Sequence, residues 1–270
     1  MYQLIFDIGS NATKASLVNA QKQFIQDWRV STKLGKNILA DGSIDIDIIN
    51  FNIHAIKTII EEINSKYKID ISHHCIGTEA LRKATNQPQI LDLFAENGLI
   101  LDILSPEEEA KYERIAIMHS QTVKSLPKVP FLLIDSGGSS TECSLIHPDN
   151  DVPFAHSFPF GQHKILQHIQ NNKENNIFNE FLETLHNIIQ QYPIQHIVAA
   201  GSSFTTYAME TLKISNPNDV EGKRVTPELS VEIPASRAGL QLVNRLTEAC
   251  HVPIYVSTYG IRHGWIFDQP

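Results

Sequence analysis

Two short segments of the chain combine an acid with a turn of Gly and Ser. Residues 4–18 read LIFDIGSNATKASLV, and residues 132–146 read LLIDSGGSSTECSLI. Backbone N–H groups in such turns can approach an anion closely, because few side chains stand in the way. A carboxylate beside the turn can share Mg²⁺ with phosphate oxygens and water. The two segments therefore predict phosphate chemistry assisted by a hard divalent cation.

The two segments align with a constant offset of 128 residues, which places Asp7 on Asp135 and Gly9 on Gly137. Each is typical of a β-hairpin whose turn tolerates unusual backbone angles. The offset is about half the chain length, so we expect two similar domains, each presenting a hairpin loop to a shared cleft. The alternative is a coincidence between two strand–turn–strand segments of a common kind.

The candidate ligands follow from these turns. Asp7 or Asp135 alone is typical of an acid that satisfies N–H groups of its own turn, whereas as a related pair they favour metal binding. Glu142 begins the outgoing strand of the second hairpin, so the predicted metal ligands are Asp7, Asp135 and Glu142. The predicted phosphate-binding residues lie in the Gly/Ser turns or carry a positive charge, and they are Gly9, Ser10, Asn11, Lys14, Arg82, Gly137, Gly138, Ser139, Ser140, Gly201 and Ser202.

Some of these residues have plain structural alternatives. Lys14 and Arg82 could lie on a solvated face instead of pairing with phosphate. The three acids of the 105–110 segment, SPEEEA, fall in the first turn of a predicted helix. Acids at that position ordinarily complement the helix dipole, so residue types alone favour that role over a general base.

The elements that must position these residues alternate between strands and helices. After the first hairpin we expect a strand at 23–32, a helix capped by Ser43, a strand at 69–77, helices from Glu79 and at 88–97, a strand at 99–104 and a helix at 105–120. The second half predicts strands at 130–136, 140–146, 153–159, 195–200 and 253–257. Its helices are expected at 161–169, 175–190, after Gly201, at 235–249 and from Tyr259. This order indicates a mixed-sheet α/β fold.

Composition excludes several classes of protein. The 270 residues are 42% hydrophobic and 19% charged, which is typical of a folded globular chain. The net charge of −8 disfavours general binding to nucleic acid or to an anionic membrane. The N-terminus does not resemble a signal peptide, no stretch is long enough to span a membrane, and the three cysteines form no zinc or disulfide pattern. We therefore expect a cytoplasmic protein.

Seven segments resemble, in order and spacing, the exopolyphosphatase/guanosine pentaphosphate phosphohydrolase (Ppx/GppA) family. They are FDIGSNATK (6–14), GTEALRKATN (77–86), SPEEEA (105–110), LLIDSGGSSTE (132–142), FPFG (158–161), AAGSS (199–203) and STYGIRHG (257–264). The resemblance implies an α/β fold of two similar domains of the actin–sugar kinase–Hsp70 ATPase (ribonuclease H-like) superfold around a central cleft. It places domain I at 1–119 and domain II at 120–258, with a C-terminal helix at about 259–270 packing back on domain I.

The resemblance also implies roles for particular residues. Glu109 matches the catalytic glutamate that orients and deprotonates the attacking water. Asp7, Asp135 and Glu142 match the acids that hold Mg²⁺ or Mn²⁺, and Arg82 matches an arginine that faces the phosphates. Ser10, Asn11, Gly137, Gly138 and Ser139 match the phosphate cradle. The chain departs from the family at Ser139 and Ser202, where glycine is usual, and in its short 225–233 segment.

The implied activity is release of orthophosphate from short or medium-chain polyphosphate or from pppGpp, without nucleic acid or membrane partners. The sequence leaves open whether the chain forms a homodimer. Two alternatives remain at this stage, a non-catalytic (p)ppGpp- or nucleotide-binding regulator and a small-molecule kinase of the same superfold. Because the chain is acidic, a polyanion must be attracted by a local patch, for which we expect Lys14, Arg82, Lys164 and Arg262.

Overall fold

The computed structural model describes residues 2–68, 71–149, 151–171, 176–228 and 230–269. The chain divides into two compact units. Unit 1 consists of Met1–Ala116 together with Ile261–Pro270, and unit 2 consists of Ile117–Gly260. These divisions lie within three residues of the boundaries expected from the sequence, after 119 and 258.

Unit 1 is built on a five-stranded mixed sheet. Its strands are β1 (Gln3–Ile8), β2 (Thr13–Val18), β3 (Phe24–Val30), β4 (Ser72–Gly77) and β5 (Leu101–Ile103), in the order β3-β2-β1-β4-β5. Its helices are α1 (Ile46–Tyr67), α2 (Glu79–Lys83), α3 (Gln87–Glu96) and α4 (Pro106–His119), the last of which runs across the boundary between the units. The first three strands pair antiparallel, and β4 and β5 continue the sheet in parallel.

Unit 2 repeats this plan with one additional strand. It contains α5 (Gln121–Ser125), β6 (Phe131–Ser136), β7 (Thr141–Ile146), β8 (Phe154–Phe158), α6 (Gln162–Gln170), α7 (Asn179–Gln191), β9 (Ile197–Ala200), α8 (Ser202–Leu212), β10 (Arg224–Val225), α9 (Pro234–Cys250) and β11 (Ile254–Val256). The sheet order is β8-β7-β6-β9-β11-β10. Without β10, this order and its strand directions are those of unit 1. The final helix of the chain, α10 (Ile261–Asp268), returns to unit 1.

The two faces of the unit 1 sheet are covered differently. Leu4, Phe6 and Ile8 of β1 pack in a core with the isoleucines of α1, which recur at helical spacing and are buried. Ile5, which points to the opposite face because strand side chains alternate, packs with Ile266 of α10. Asp7 shares this second face with Ile5 by the same alternation. The acid of the first hairpin therefore lies on the side of the sheet that α10 covers.

The core of unit 2 is rich in phenylalanine. Phe158 and Phe160 flank the end of β8 and make edge-to-face contacts with Phe181. All three rings are buried, and each buried ring stabilises the fold by about 1.5–3 kcal/mol. This packing fixes the chain that leaves β8 and enters α6, a segment that contacts the second hairpin loop.

Some element boundaries differ from the sequence prediction. The predicted cap of α1 was wrong, because Asp45 occupies that position and accepts a hydrogen bond from Asp47 N at 2.9 Å. Ser43 instead donates its backbone N–H and its hydroxyl to Asp41, so it belongs to the preceding turn. The final helix begins at Ile261 and not at Tyr259. Parts of the predicted 69–77 strand and 175–190 helix lie outside the described residues.

Among the residues that the structure describes, no helix combines the length and the apolar character needed to cross a bilayer.

Candidate functional site

The first hairpin joins β1 to β2 through a tight turn. Gly9 N donates to Ala12 O at 3.1 Å, which closes the turn around Ser10 and Asn11. Asp7 is the cross-strand partner of Lys14, and its carboxylate lies 3.9 Å from the Lys14 ammonium. Asp7 is buried, whereas the Lys14 side chain is about one-third exposed. The first hairpin therefore places a partly accessible positive charge beside its turn.

The second hairpin has the same backbone plan and a different charge. Gly137 N donates to Ser140 O at 3.0 Å, and Asp135 is the cross-strand partner of Glu142. Side chains of directly opposed residues lie on the same face of a sheet, where two like charges repel each other. Glu142 also accepts a hydrogen bond from Ser157 Oγ at 2.8 Å. The second hairpin therefore presents two adjacent carboxylates, an arrangement that a cation would stabilise.

Each loop is braced by the segment that follows the third strand of its hairpin sheet. In unit 1, Ser10 O accepts from Gly35 N at 2.8 Å and Asn11 O accepts from Lys33 N at 3.0 Å. In unit 2, Gly137 O accepts from Gln162 N at 2.9 Å and Gly138 O accepts from His163 N at 3.0 Å. Carbonyl oxygens would repel a phosphate, and these four are instead occupied by N–H donors.

Two glycines of unit 2 make this close packing possible. A methyl group added at Gly161 would lie 2.7 Å from the backbone nitrogens of Ser139 and Ser140. A methyl group at Gly201 would lie 2.6 Å from Asp135 Oδ1, and Gly201 also has a positive φ of 94°. The sequence pattern included Gly201 among the site residues but missed Gly161. Gly161 ends the FPFG segment, whose contact with the loop is a long-range feature that spacing does not show.

The two serines that replace the usual glycines fit without backbone strain. Ser139 is absent from the described residues that have a positive φ, so its side chain imposes no left-handed penalty. Ser202 begins α8, and its hydroxyl donates to Gln162 Oε1 at 3.0 Å. This bond links the start of α8 to the start of α6, on the segment that braces the second loop.

The three glutamates of α4 have different surroundings. Ser105 Oγ accepts from Glu108 N at 3.1 Å, and Glu108 Oε2 accepts from Ser105 N at 2.8 Å, which is a capping box. Glu109 instead forms a salt bridge with Arg82, and neither side chain is more than one-quarter exposed. Arg82 also donates to Leu104 O at 2.6 Å. The structure thus brings together two predicted site residues, with Arg82 in contact with Glu109.

The predicted basic patch needs one correction. Arg262 is buried. Its guanidinium donates to Ser16 Oγ at 2.6 Å and lies 3.6 Å from Asp27 Oδ1. Its charge therefore stabilises the contact of α10 with the sheet and is not part of an accessible surface patch. Lys164 is exposed, and its ammonium donates to Pro159 O at 3.0 Å.

The donor set of the second hairpin fits a hard divalent cation. Asp135 and Glu142 supply carboxylate oxygens on one face of the sheet. Within the described part of the chain, no group of three His, Cys, Asp or Glu residues gathers at one point. Mg²⁺ suits such an incomplete site, because it commonly takes one or two carboxylates and completes its shell with water and phosphate oxygens.

Comparison with known proteins identifies the family to which the chain is similar. The model of the Ppx/GppA phosphatase family matches residues 15–228. No curated protein sequence matches the chain. Among solved structures, a Ppx/GppA enzyme of Aquifex aeolicus is similar with a TM-score of 0.76 and 22% identity, over 100% of this chain and 99% of that chain.

Two further structures share the fold. An exopolyphosphatase of Cytophaga hutchinsonii has a TM-score of 0.76 and 16% identity, over 98% of this chain and 96% of that chain. The ethanolamine utilization protein EutJ of Carboxydothermus hydrogenoformans has a TM-score of 0.52 and 10% identity, over 100% of this chain and 90% of that chain. The predicted α/β fold of the actin–sugar kinase–Hsp70 superfold is confirmed. From the extent of the family match, the chain belongs to the Ppx/GppA phosphatase family.

Proposed function

We propose that this chain is a metal-dependent phosphatase that removes the terminal phosphate of inorganic polyphosphate. The observation that carries the proposal is the pair of braced hairpin loops, in a chain of a phosphatase family. The Cytophaga neighbour, which is described as an exopolyphosphatase, supports the choice of substrate. A second substrate, pppGpp, offers the same terminal phosphoanhydride and is included in the test.

Glu109 is the proposed general base. Water attacks the terminal phosphorus, the bond from that phosphorus to the bridging oxygen breaks, and the proton of the water passes to the Glu109 carboxylate. Arg82 fixes the position of this carboxylate through their salt bridge, and the same Arg82 Nη1 also donates to Leu104 O. A base must be correctly oriented before it can accept a proton, and the pairing supplies this orientation.

The two hairpin loops have different proposed tasks. The turn at Gly9–Ala12 and the ammonium of Lys14 bind phosphate oxygens in unit 1. In unit 2, Asp135 and Glu142 would hold Mg²⁺ or Mn²⁺ beside the turn at Gly137–Ser140. The bound ion would neutralise charge on the phosphate oxygens. The hydrogen bond between Ser202 and Gln162 fixes a serine side chain at a position where family members usually have glycine. This side chain takes up space that a nucleoside would need, so the position favours polyphosphate, which carries no nucleoside, over a nucleotide.

The direct test is release of orthophosphate by the purified protein with Mg²⁺ and medium-chain polyphosphate, pppGpp or ATP. We expect release from polyphosphate. Glu109→Gln should lower kcat by about 10²–10⁴-fold and leave polyphosphate binding intact.

Glu107→Gln is the matched control, since Glu107 lies exposed in the same helical turn and loses the same charge. It should keep wild-type activity. Absence of phosphate release from all three substrates would refute the hydrolase, and full activity of Glu109→Gln would remove Glu109 from the role of base.

A further inference from the structure

One edge of the unit 1 sheet is open. β5 is the last strand in the order β3-β2-β1-β4-β5, and among the described strands it pairs only with β4. A cavity of about 470 Å³ runs along it, walled by Leu91 of α3, by Glu108 and Tyr112 of α4 and by Trp265 of α10. We call this cavity the β5 groove. It lies within unit 1, and it is separate from the residues proposed for phosphate binding, metal binding and catalysis.

The backbone of β5 has hydrogen-bonding groups on its open side. Cys75 N donates to Ile100 O at 3.0 Å, so the peptide group that begins the pairing faces β4. Because backbone groups alternate along a strand, the N–H and C=O groups of Leu101 and Ile103 point away from β4. Neither residue makes a hydrogen bond on that side with another residue in the described part of the chain. Such an unpaired row is a template for a further strand.

The two walls of the β5 groove differ in chemistry. Leu101 packs in the core that includes α3, and the Leu91 side chain of that helix is exposed beside it. Asp102 points to the opposite face of the sheet, because side chains alternate along a strand. Tyr112 and Trp265 cover that face. One wall is therefore apolar, and the other is acidic and aromatic.

The acidic wall carries accessible negative charge. Asp102 and Glu108 are both exposed, and no lysine or arginine of the described chain lines the groove. His74 Nε2 lies 2.8 Å from Asp102 Oδ2, but 60% of the Asp102 side chain remains exposed. Lys111 of α4 is paired at 2.6 Å with Asp268. The groove therefore favours a cation, which the aromatic rings would also attract.

The surroundings of the groove are unusually apolar for a sheet edge. Ile100, which precedes β5 directly, is 63% exposed, and Leu91 is 37% exposed. Natural edge strands are commonly protected by lysine, proline or a bulge, and neither lysine nor proline occurs in β5 or at Ile100. Exposed apolar side chains that lie beside unpaired backbone groups indicate an interaction surface.

We propose that the β5 groove binds an extended basic segment of a partner protein, which adds to the unit 1 sheet as a further strand. The backbone of the segment would pair with Leu101 and Ile103. Lysines at alternate positions would meet the acidic wall, and the apolar residues between them would meet Leu91. A second copy of this chain is disfavoured, because pairing of two β5 strands would bring their Asp102 carboxylates together.

The test is binding of a fluorescent peptide of sequence VKVKVKV to the whole purified protein, measured by anisotropy. Two further peptides are compared with it. VEVEVEV keeps the alternation and reverses the charge, and VVKKKVV keeps the composition and removes the alternation. We expect VKVKVKV to bind at least about tenfold more tightly than either, because only this peptide matches both walls.

Two variants test the groove itself. Asp102→Asn/Glu108→Gln removes both acids, and glutamine can still complete the capping box. It should weaken VKVKVKV binding by about three- to tenfold, whereas the control Glu61→Gln/Glu62→Gln, on the exposed surface of α1, should not. Ile103→Pro removes an N–H on the open side and no bond to β4, so it should abolish binding in a protein that circular dichroism shows to be folded.

Several results would overturn the proposal. These are failure of VKVKVKV to bind, equal binding of VEVEVEV or VVKKKVV, and equal affinity in the two double acid variants. A dimer of the protein alone that Ile103→Pro dissociates, measured by analytical ultracentrifugation, would assign the groove to a second copy and would also overturn it. Where Ile103→Pro does not fold, the peptides and the acid variants decide the question.

Discussion

The two hairpin loops share one backbone and differ at one charged position. Asp7 and Asp135 occupy equivalent places in their sheets, and both turns are closed by a glycine N–H that donates to the carbonyl three residues later. The cross-strand partner of Asp7 is Lys14, whereas the partner of Asp135 is Glu142. One hairpin therefore balances its acid with a lysine, and the other opposes two acids.

This difference shows how one scaffold can support two tasks. A lysine opposite an aspartate leaves a loop whose N–H donors and ammonium favour an anion. A second acid at the same position produces a repulsion that a divalent cation relieves. Because the backbones agree, the proposed assignment of phosphate to unit 1 and metal to unit 2 depends on residues 14 and 142. The variants below test that dependence.

The largest expected effect concerns the glycines at the ends of the parallel strands. Gly201→Ala should destabilise unit 2 by more than about 4 kcal/mol, because the methyl group meets Asp135 and the residue has a positive φ. Gly77 ends the equivalent strand of unit 1, and its methyl group would meet Leu81 Cδ1, the end of a side chain and not a backbone atom, at 2.8 Å. Gly77→Ala should cost about 1–3 kcal/mol. Urea denaturation compares the two, and equal losses would contradict this account of Gly201.

An intermediate effect is expected at the glycines that brace the loops. Gly161→Ala places a methyl group 2.7 Å from loop backbone atoms and should cost about 1–3 kcal/mol, with a fall in activity. Gly35→Ala places its methyl group 3.1 Å from Ser10 Cβ and should cost less than about 1 kcal/mol. Thermal unfolding and phosphate release measure both changes. A milder phenotype for Gly161→Ala than for Gly35→Ala would refute tighter bracing in unit 2.

Local features of this fold could be predicted from the sequence, and long-range contacts could not. The hairpins at Asp7 and Asp135 follow from strand and turn residues that are adjacent in the chain. The α1 cap was misplaced because Asp41, Ser43 and Asp45 are all capable caps, and Asp41 engages Ser43. The choice among them depends on how the turn packs, which the sequence pattern does not contain.

Long-range contacts also decide which parts of the candidate site could not be predicted from the sequence. Arg262 was expected in a surface patch because its partners, Ser16 and Asp27, are distant in sequence. The pairing of Arg29 with Lys14 could not be predicted, because Arg29 lies in a strand outside every recognised segment and only the sheet register places the two side by side. Glu109 was identified by resemblance, whereas its pairing with Arg82 required the structure.

The smallest effect is expected at Ser139. Since Ser139 does not adopt a positive φ, Ser139→Gly relieves no strain and should lower stability by only about 0.5–1 kcal/mol through added backbone freedom. Phosphate release should not increase. A gain in stability, measured by thermal unfolding, would show that the second loop prefers the family glycine after all.

The most direct test of the difference between the hairpins is Mn²⁺ binding by Glu142→Gln and by Lys14→Gln, measured by electron paramagnetic resonance. Each substitution neutralises one charge at the same position of the repeat. We expect Glu142→Gln to weaken Mn²⁺ binding by at least about tenfold, since it removes one of two carboxylate ligands. Lys14→Gln should leave Mn²⁺ affinity unchanged. Wild-type Mn²⁺ affinity in Glu142→Gln, or an equal loss in both variants, would contradict the assignment of the metal to unit 2.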